Sequence, residues 1–260
     1  MNGIADRLAA LDISLFDQIQ GQTTDDDRTS LLSVQLALGN LRPNYSYLEI
    51  GSYLGGSIQP HLLDDKCQRI VSVDKRPLVQ PDARGYDWVY QNNSTARMLE
   101  GLKQVSPDIS KIETIDGDTS EIKPEQVGEK VDACFIDGEH TDEAAFRDFR
   151  FCLDVLADNG LIMFHDSQIT YNAIADATQY LTDKGIAFKA YPLPLTAFVI
   201  EIGDFPLHKE PAVAAQMVKG HLSYIACLRY NDNYRRFATR FPFGAIRRTL
   251  IRFRRSNVSN

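Results

Sequence analysis

Two carboxylates are the first residues in this sequence able to do chemistry together. Asp137 and Asp166 each stand at the end of an apolar run, VDACFI (131–136) and LIMF (161–164). Between the runs Phe146, Phe149, Leu153 and Leu156 recur at helical spacing, which predicts a strand, a helix and a second strand. In a right-handed β-α-β unit those strands become neighbours, roughly 4.8 Å apart. Two acids that close either retain a proton between them or hold a cation. Carboxylate oxygens suit Mg²⁺, Mn²⁺ or Ca²⁺ better than zinc.

A second chemical stretch is YLEIGSYLGGSIQ (47–59). Tyr47, Leu48 and Ile50 fit a buried parallel strand. Gly51, Gly55 and Gly56 then let the backbone turn sharply and approach a ligand, and a helix after Ser57 would aim its free N–H groups back into the turn. Neither a P-loop nor the G-x-G-x-x-G dinucleotide pattern is present. Glu49 beside the loop suits a cationic ligand better than a pyrophosphate. Downstream, the run RIVSV (69–73) ends in Asp74, the place where a carboxylate accepts hydrogen bonds from both ribose hydroxyls of a nucleoside.

The elements that position these groups alternate along the chain. Strands are expected near 47–50, 69–73, 112–115, 131–136, 161–164, 187–191 and 196–202, with helices at 30–38, 94–105, 141–156, 171–183 and 212–224. This order predicts an α/β fold, a doubly wound, mainly parallel seven-stranded sheet with ligands at the carboxyl ends of its strands. Ser30 reads as an N-cap, GQTTDDD (21–27) as a mobile polar loop, and Lys75 to Asn93, which holds the only tryptophan, as irregular. The expected divisions are an N-terminal helical cap over 1–44, the main domain over 45–205 and a helical basic extension over 206–260.

With 260 residues, 43% of them hydrophobic, the chain can bury a full core. Its four cysteines show no zinc-like spacing, and neither a signal peptide nor a membrane-length apolar run is visible. These features point to a reduced, cytoplasmic protein. The formal net charge of −7 is uneven: Arg229 to Arg255 holds nine arginines and one acid, Asp232. Its last part, AIRRTLIRFRR, is basic and amphipathic. Three partners fit such a tail: an anionic membrane or lipid-linked glycan at the inner membrane face, a second copy in a homo-oligomer, or nucleic acid, for which no RNA-binding signature exists.

The segments LEIGSYLGGS, FIDGEHTDEA and NGLIMFHDS, in this order and each at a strand end, resemble the motifs of class I, metal-dependent S-adenosylmethionine (SAM) O-methyltransferases that act on catechols and on sugars of natural products. The resemblance covers about residues 47–167. It implies a Rossmann-like fold binding SAM through Glu49, Gly51, Ser52, Tyr53, Ser57 and Asp74, with adenine against Asp118, Thr119 and Ser120. It places Mg²⁺ or Mn²⁺ on Asp137 and Asp166. Ser167 stands where the family has a third ligand, Asn or Asp; serine is a weaker ligand, and His165 or Glu139 could replace it. His140 occupies the general-base position, and histidine there favours a hydroxyl of a sugar, saccharide or glycosylated natural product as acceptor. Three rivals remain: a catechol-like acceptor, a two-histidine, one-carboxylate iron oxygenase using His140 and His165, and a SAM-binding module without activity.

Overall fold

The computed structural model describes residues 3–84, 86–239, 242, 243 and 246. Seven strands form the central sheet: β1 (Tyr45–Ile50), β2 (Cys67–Asp74), β5 (Ile112–Asp116), β6 (Val131–Ile136), β7 (Leu156–Phe164), β8 (Phe188–Pro192) and β9 (Phe198–Ile202). Their spatial order is β5-β2-β1-β6-β7-β9-β8. The first five are parallel, while β9 runs antiparallel to both β7 and β8. This is the doubly wound, Rossmann-like arrangement expected for a methyltransferase fold. The winding direction reverses at β1, and crevices for ligands open at the carboxyl ends of strands beside such a switch point.

The apolar runs become strands because both faces of the sheet are covered. Leu48, Ile70, Val71, Cys134 and Ile162 are fully buried, so continuous rather than alternating hydrophobicity marks them. Helices α3 (Ile58–Leu63), α4 (Thr95–Val105), α5 (Asp142–Val155) and α6 (Tyr171–Asp183) connect the strands. Ser94 and Thr141 cap α4 and α5 by accepting backbone N–H groups of Arg97 and Ala144, each cap contributing about 1 kcal/mol.

Four local expectations are corrected. The helix expected at Ser30 is α2 (Asp25–Leu41), entered through a capping box in which Thr24 Oγ1 accepts from Asp27 N–H and the Asp27 carboxylate accepts from Thr24 N–H. Asp25, Asp26 and Asp27 therefore form a first helical turn, where acids are favoured, and Ser30 is buried within the helix. The stretch 75–93 contains a hairpin, β3 (Val79–Asp82) and β4 (Tyr86–Val89). Its inward positions on β3 are the polar Gln80 and Asp82, so no apolar alternation announced it. The strand expected at 161–164 begins already at Leu156, so Asn159-Gly160 lies inside β7; a Cβ on Gly160 would approach Asp132 O to 2.6 Å, which is the close approach that requires glycine there. Finally, the helix expected over 212–224 is two, α7 (Pro211–Ala214) and α8 (His221–Thr239), separated by Gly220 at φ +87°.

The remaining helix, α1 (Ile4–Ala9), packs with α2. One compact unit ends at His221 and a second begins at Leu222; the N-terminal helices belong to the first. Of AIRRTLIRFRR only Ile246 falls among the described residues. Among the described residues, no helix is long and apolar enough to cross a membrane.

Candidate functional site

The strand ends β1, β2, β6 and β7 deliver their following residues to one cavity of about 220 Å³. Gly51 continues the ladder by donating to Val73 O at 2.8 Å, and Asp137 N–H donates to Ile50 O at 2.9 Å. Gly51 adopts φ +89°, and a Cβ there would collide with the carbonyl of Asp137. The glycine therefore permits the two strand ends to approach so closely. Gly51, Ser52, Tyr53, Ser57, Asp74, Asp137, His140 and Asp166 all line the cavity.

Asp137, His140 and Asp166 converge. One ligand atom from each lies within 4.8 Å of the others. His140 Nε2 is 3.0 Å from Asp166 Oδ2 and 4.0 Å from Asp137 Oδ1. Asp166 holds φ +49°, a left-handed conformation that costs a non-glycine residue free energy. Two carboxylates and one imidazole at these separations are a donor set suited to Mg²⁺ or, with the softer nitrogen, Mn²⁺.

His165 belongs to the same cluster. Its Nδ1 lies 3.0 Å from Asp137 Oδ1 and 3.2 Å from Asp166 Oδ2, and its Nε2 is 3.6 Å from Asp27 Oδ2. Burial disfavours the imidazolium, yet Asp137, Asp166 and Asp27 together raise its pKa well above the ordinary value. Conversely, burial opposes ionisation of Asp166, but His165 and His140 hold its pKa below the usual carboxylate range. Asp27 is depressed as well, with the neighbouring His165 and hydrogen bonds from the Thr196 and Thr24 hydroxyls outweighing its burial.

Asp74 also sits in the wall. Its Oδ2 accepts from Tyr53 N–H at 2.8 Å and its Oδ1 from Arg76 N–H at 2.6 Å. Tyr53 itself has φ +45°, so Asp74 fixes the strained crest of the glycine loop. Asp74, Gly51 and Gln80 line a second, narrower cleft of about 20 Å³ together with Asp118 and Thr119. Lys75 crosses it, 2.6 Å from Glu139 and 3.7 Å from Asp118.

Three of the expected residues lie away from both spaces. Glu49 is fully buried under the loop, accepting from Tyr47 and Ser57 hydroxyls at 2.6 and 2.7 Å. Burial pushes its pKa up to about 7, against those hydrogen bonds. Ser167 is completely buried and its N–H donates to Thr196 O. Ser120 bonds to Asp118 through both its N–H and its hydroxyl.

Several wall residues escaped the sequence reading. Gln20 to Thr24 pass over the loop, with Gly21 packed on Gly56, and Thr24 and Asp27 face the cavity. The T-x-x-D spacing of the capping box was the available signal. The hairpin adds Gln80, Arg84 and Trp88, followed by Tyr90, whose ring meets Tyr53 edge-on at 5.0 Å. Nothing in the local pattern marks those.

The family described as "Methyltransferase domain" matches residues 48–167, the span from β1 to the residue after Asp166. No curated protein matches the sequence. Among solved structures, the fold is similar to cofactor-bound Rv0187 from MTB, at 15% identity and TM-score 0.51, covering 76% of this chain and 89% of that one. It is also similar to the O-methyltransferase NovP, at 13% identity and TM-score 0.51, covering 66% of this chain and 77% of that one.

Proposed function

We propose that the chain is a SAM-dependent, metal-dependent O-methyltransferase acting on a hydroxyl of a sugar, saccharide or glycosylated natural product. The observation that carries the reading is the convergence of Asp137, His140 and Asp166 beside the glycine loop, in one cavity with Asp74. The methyltransferase-domain match over the same residues supports the cofactor. Tyr53, Tyr90 and Trp88 supply aromatic surface at the cavity, which suits the apolar faces of a sugar ring and would serve a catechol-like acceptor as well.

Within this reading Gly51, Ser52, Tyr53 and Ser57 form the backbone cradle for SAM, and Asp74 holds the ribose. The smaller cleft past Asp74, walled by Asp118 and Thr119, takes the adenine end once Lys75 moves aside. The excess of carboxylate around the larger cavity favours the sulfonium charge. Asp137 and Asp166 hold the divalent cation, whose contribution when bound is to lower the pKa of the acceptor hydroxyl. His140 Nε2, at the same point, accepts the hydroxyl proton as the methyl group arrives, a contribution of about 10² to 10⁴ in rate. Catalysis otherwise rests on positioning, since an in-line methyl transfer needs no covalent help from the chain.

The closeness of the three ligand atoms favours a second reading of His140, as a third metal ligand. Calorimetric titration with Mn²⁺ separates the two. A base role leaves Mn²⁺ affinity of His140→Ala near wild type, whereas a ligand role abolishes it. The reaction itself is tested by transfer from methyl-labelled SAM to a panel of saccharides and catechols with Mg²⁺, without iron or oxygen. Transfer that requires iron and oxygen favours the oxygenase instead. SAM binding weakened by Asp74→Ala supports the cradle, and absence of any SAM binding removes the proposal.

A further inference from the structure

Behind the glycine loop a single guanidinium ties the cavity wall to the core. Arg76 lies two residues past the end of β2, and its side chain is 9% exposed. Its Nη1 donates to Tyr53 O, to Asp74 Oδ2 at 3.3 Å and to Asn93 Oδ1 at 3.2 Å. Its Nε reaches Thr95 Oγ1 at 3.1 Å and Asp116 Oδ1 at 3.5 Å, and its Nη2 reaches the Met98 sulfur at 3.2 Å. Tyr53, Asp74 and Asn93 line the cavity, whereas Thr95, Met98 and Asp116 do not. The backbone joins the same acid: Arg76 N–H donates to Asp74 Oδ1 and Tyr53 N–H to Asp74 Oδ2. Tyr53 and Arg76 both hold positive φ, +45° and +50°, and Arg76 precedes Pro77, which narrows its choices further. Residues other than glycine keep such conformations only where their surroundings over-determine them. Here each is bonded to the other and to Asp74.

We infer that Arg76 is a positioning residue for the cofactor, holding Asp74 and the crest of the glycine loop in the arrangement that receives the ribose. This rests on the SAM reading of the site. An ionised carboxylate offers about four lone-pair sites. Three donors already meet Asp74, namely the N–H groups of Tyr53 and Arg76 and the guanidinium. Both oxygens are therefore turned before a ligand arrives, and Arg76 sets what remains open to a ribose hydroxyl. Order imposed in advance raises affinity because binding no longer bears its cost. The span also explains the residue type. A planar, two-edged fork bridges Thr95 and Asp116 on one side and Tyr53 O and Asp74 on the other, whereas a lysine ammonium is a point charge on a flexible stem.

The test is calorimetric titration with S-adenosylhomocysteine, at a temperature where each chain is folded, beside a titration with Mn²⁺. Arg76→Gln should weaken S-adenosylhomocysteine binding about tenfold or more, the scale of one lost charge-assisted hydrogen bond, and leave Mn²⁺ affinity near wild type. Arg76→Lys should recover part of the loss. Thr95→Val frees only the far edge of the guanidinium and lies outside the cavity; it should weaken binding about threefold, the scale of a neutral hydrogen bond. With an acceptor in hand, KM for SAM should rise by the same factors with little change in kcat. A role confined to folding would lower the melting temperature and leave the S-adenosylhomocysteine affinity of the folded chains unchanged. Equal affinity in wild type, Arg76→Lys and Thr95→Val overturns the inference, and Thr95→Val decides it if the Arg76 variants do not fold. A wild-type chain that binds no S-adenosylhomocysteine removes the SAM reading and this inference with it, so the two failures are told apart by the wild type.

Discussion

The two ends of the crevice use the same residue types to opposite effect. At the narrow end every acid has a basic neighbour: Asp118 and Glu139 meet Lys75, and Arg147 lies beside Asp118 and Asp148. At the wide end Asp27, Asp137 and Asp166 share the single buried imidazole of His165, with His140 at the edge. The narrow end encloses about 20 Å³ and the wide end about 220 Å³. Paired charges close a space and stiffen it. Unbalanced carboxylates lining an open cavity cost free energy until a cation joins them, and under the proposed function the wide end is where a sulfonium or a divalent ion would find compensation.

Gly51 borders both ends, so its replacement is the sharpest way to break the comparison. Gly51→Ala must accommodate a Cβ against the Asp137 carbonyl while holding a positive φ. Combining the usual costs of left-handed backbone and overpacking, the loss is on the order of 2–5 kcal/mol, measurable by denaturant unfolding. SAM and Mn²⁺ binding should fail together.

Below the loop, Glu49 offers a pH-dependent contrast, because its carboxyl is buried beside hydroxyls and has no basic neighbour among its hydrogen-bond partners. Its pKa is raised to about 7 from an ordinary 4.5. Below the ordinary value the group is neutral in both folded and unfolded chains. As pH rises from there to about 7, only the unfolded chain ionises, so this contribution to stability is lost across that window. The shift corresponds to an effect on the order of 3 kcal/mol. Asp148, raised to about 6 by burial, acts in the same direction, so the test is the difference between chains: thermal stability of Glu49→Gln should decline less between pH 5 and 7 than that of wild type. Parallel curves would contradict the buried-acid account.

The smallest effect is expected at the narrow end. Lys75→Ala unpairs Glu139, and the part-exposed pair contributes no more than about 1 kcal/mol. Melting should fall slightly while Mn²⁺ affinity stays unchanged, sharpening the separation between the two ends. A large loss of Mn²⁺ binding would show that the ends are one electrostatic unit.

What the sequence disclosed follows the same division. Apolar runs ending in Asp74, Asp137 and Asp166 made the sheet and its carboxyl edge readable, because burial on both faces leaves a continuous hydrophobic signature. Glu49 was readable as an acid but not as a buried one: its place in β1 turns it toward Tyr47 and Ser57, away from the cavity. Ser167 stands where the resembled family has a third ligand, yet successive residues leaving a strand face different ways, and it is buried, its N–H donating to Thr196 O. The hairpin was invisible because its inward residues, Gln80 and Asp82, are polar. Thr24 and Asp27 were readable only as a cap, and their approach to His165 arises from the long-range packing of α2.

The most direct measurement is a calorimetric titration of the wild-type chain with Mn²⁺ in the presence of S-adenosylhomocysteine, repeated on Asp137→Ala and Asp166→Ala. The account predicts one site in the wild type, lost in both variants, while each variant still binds S-adenosylhomocysteine. Absence of Mn²⁺ binding in the wild type, or equal binding in all three chains, would contradict the claim that the wide end is a cation site.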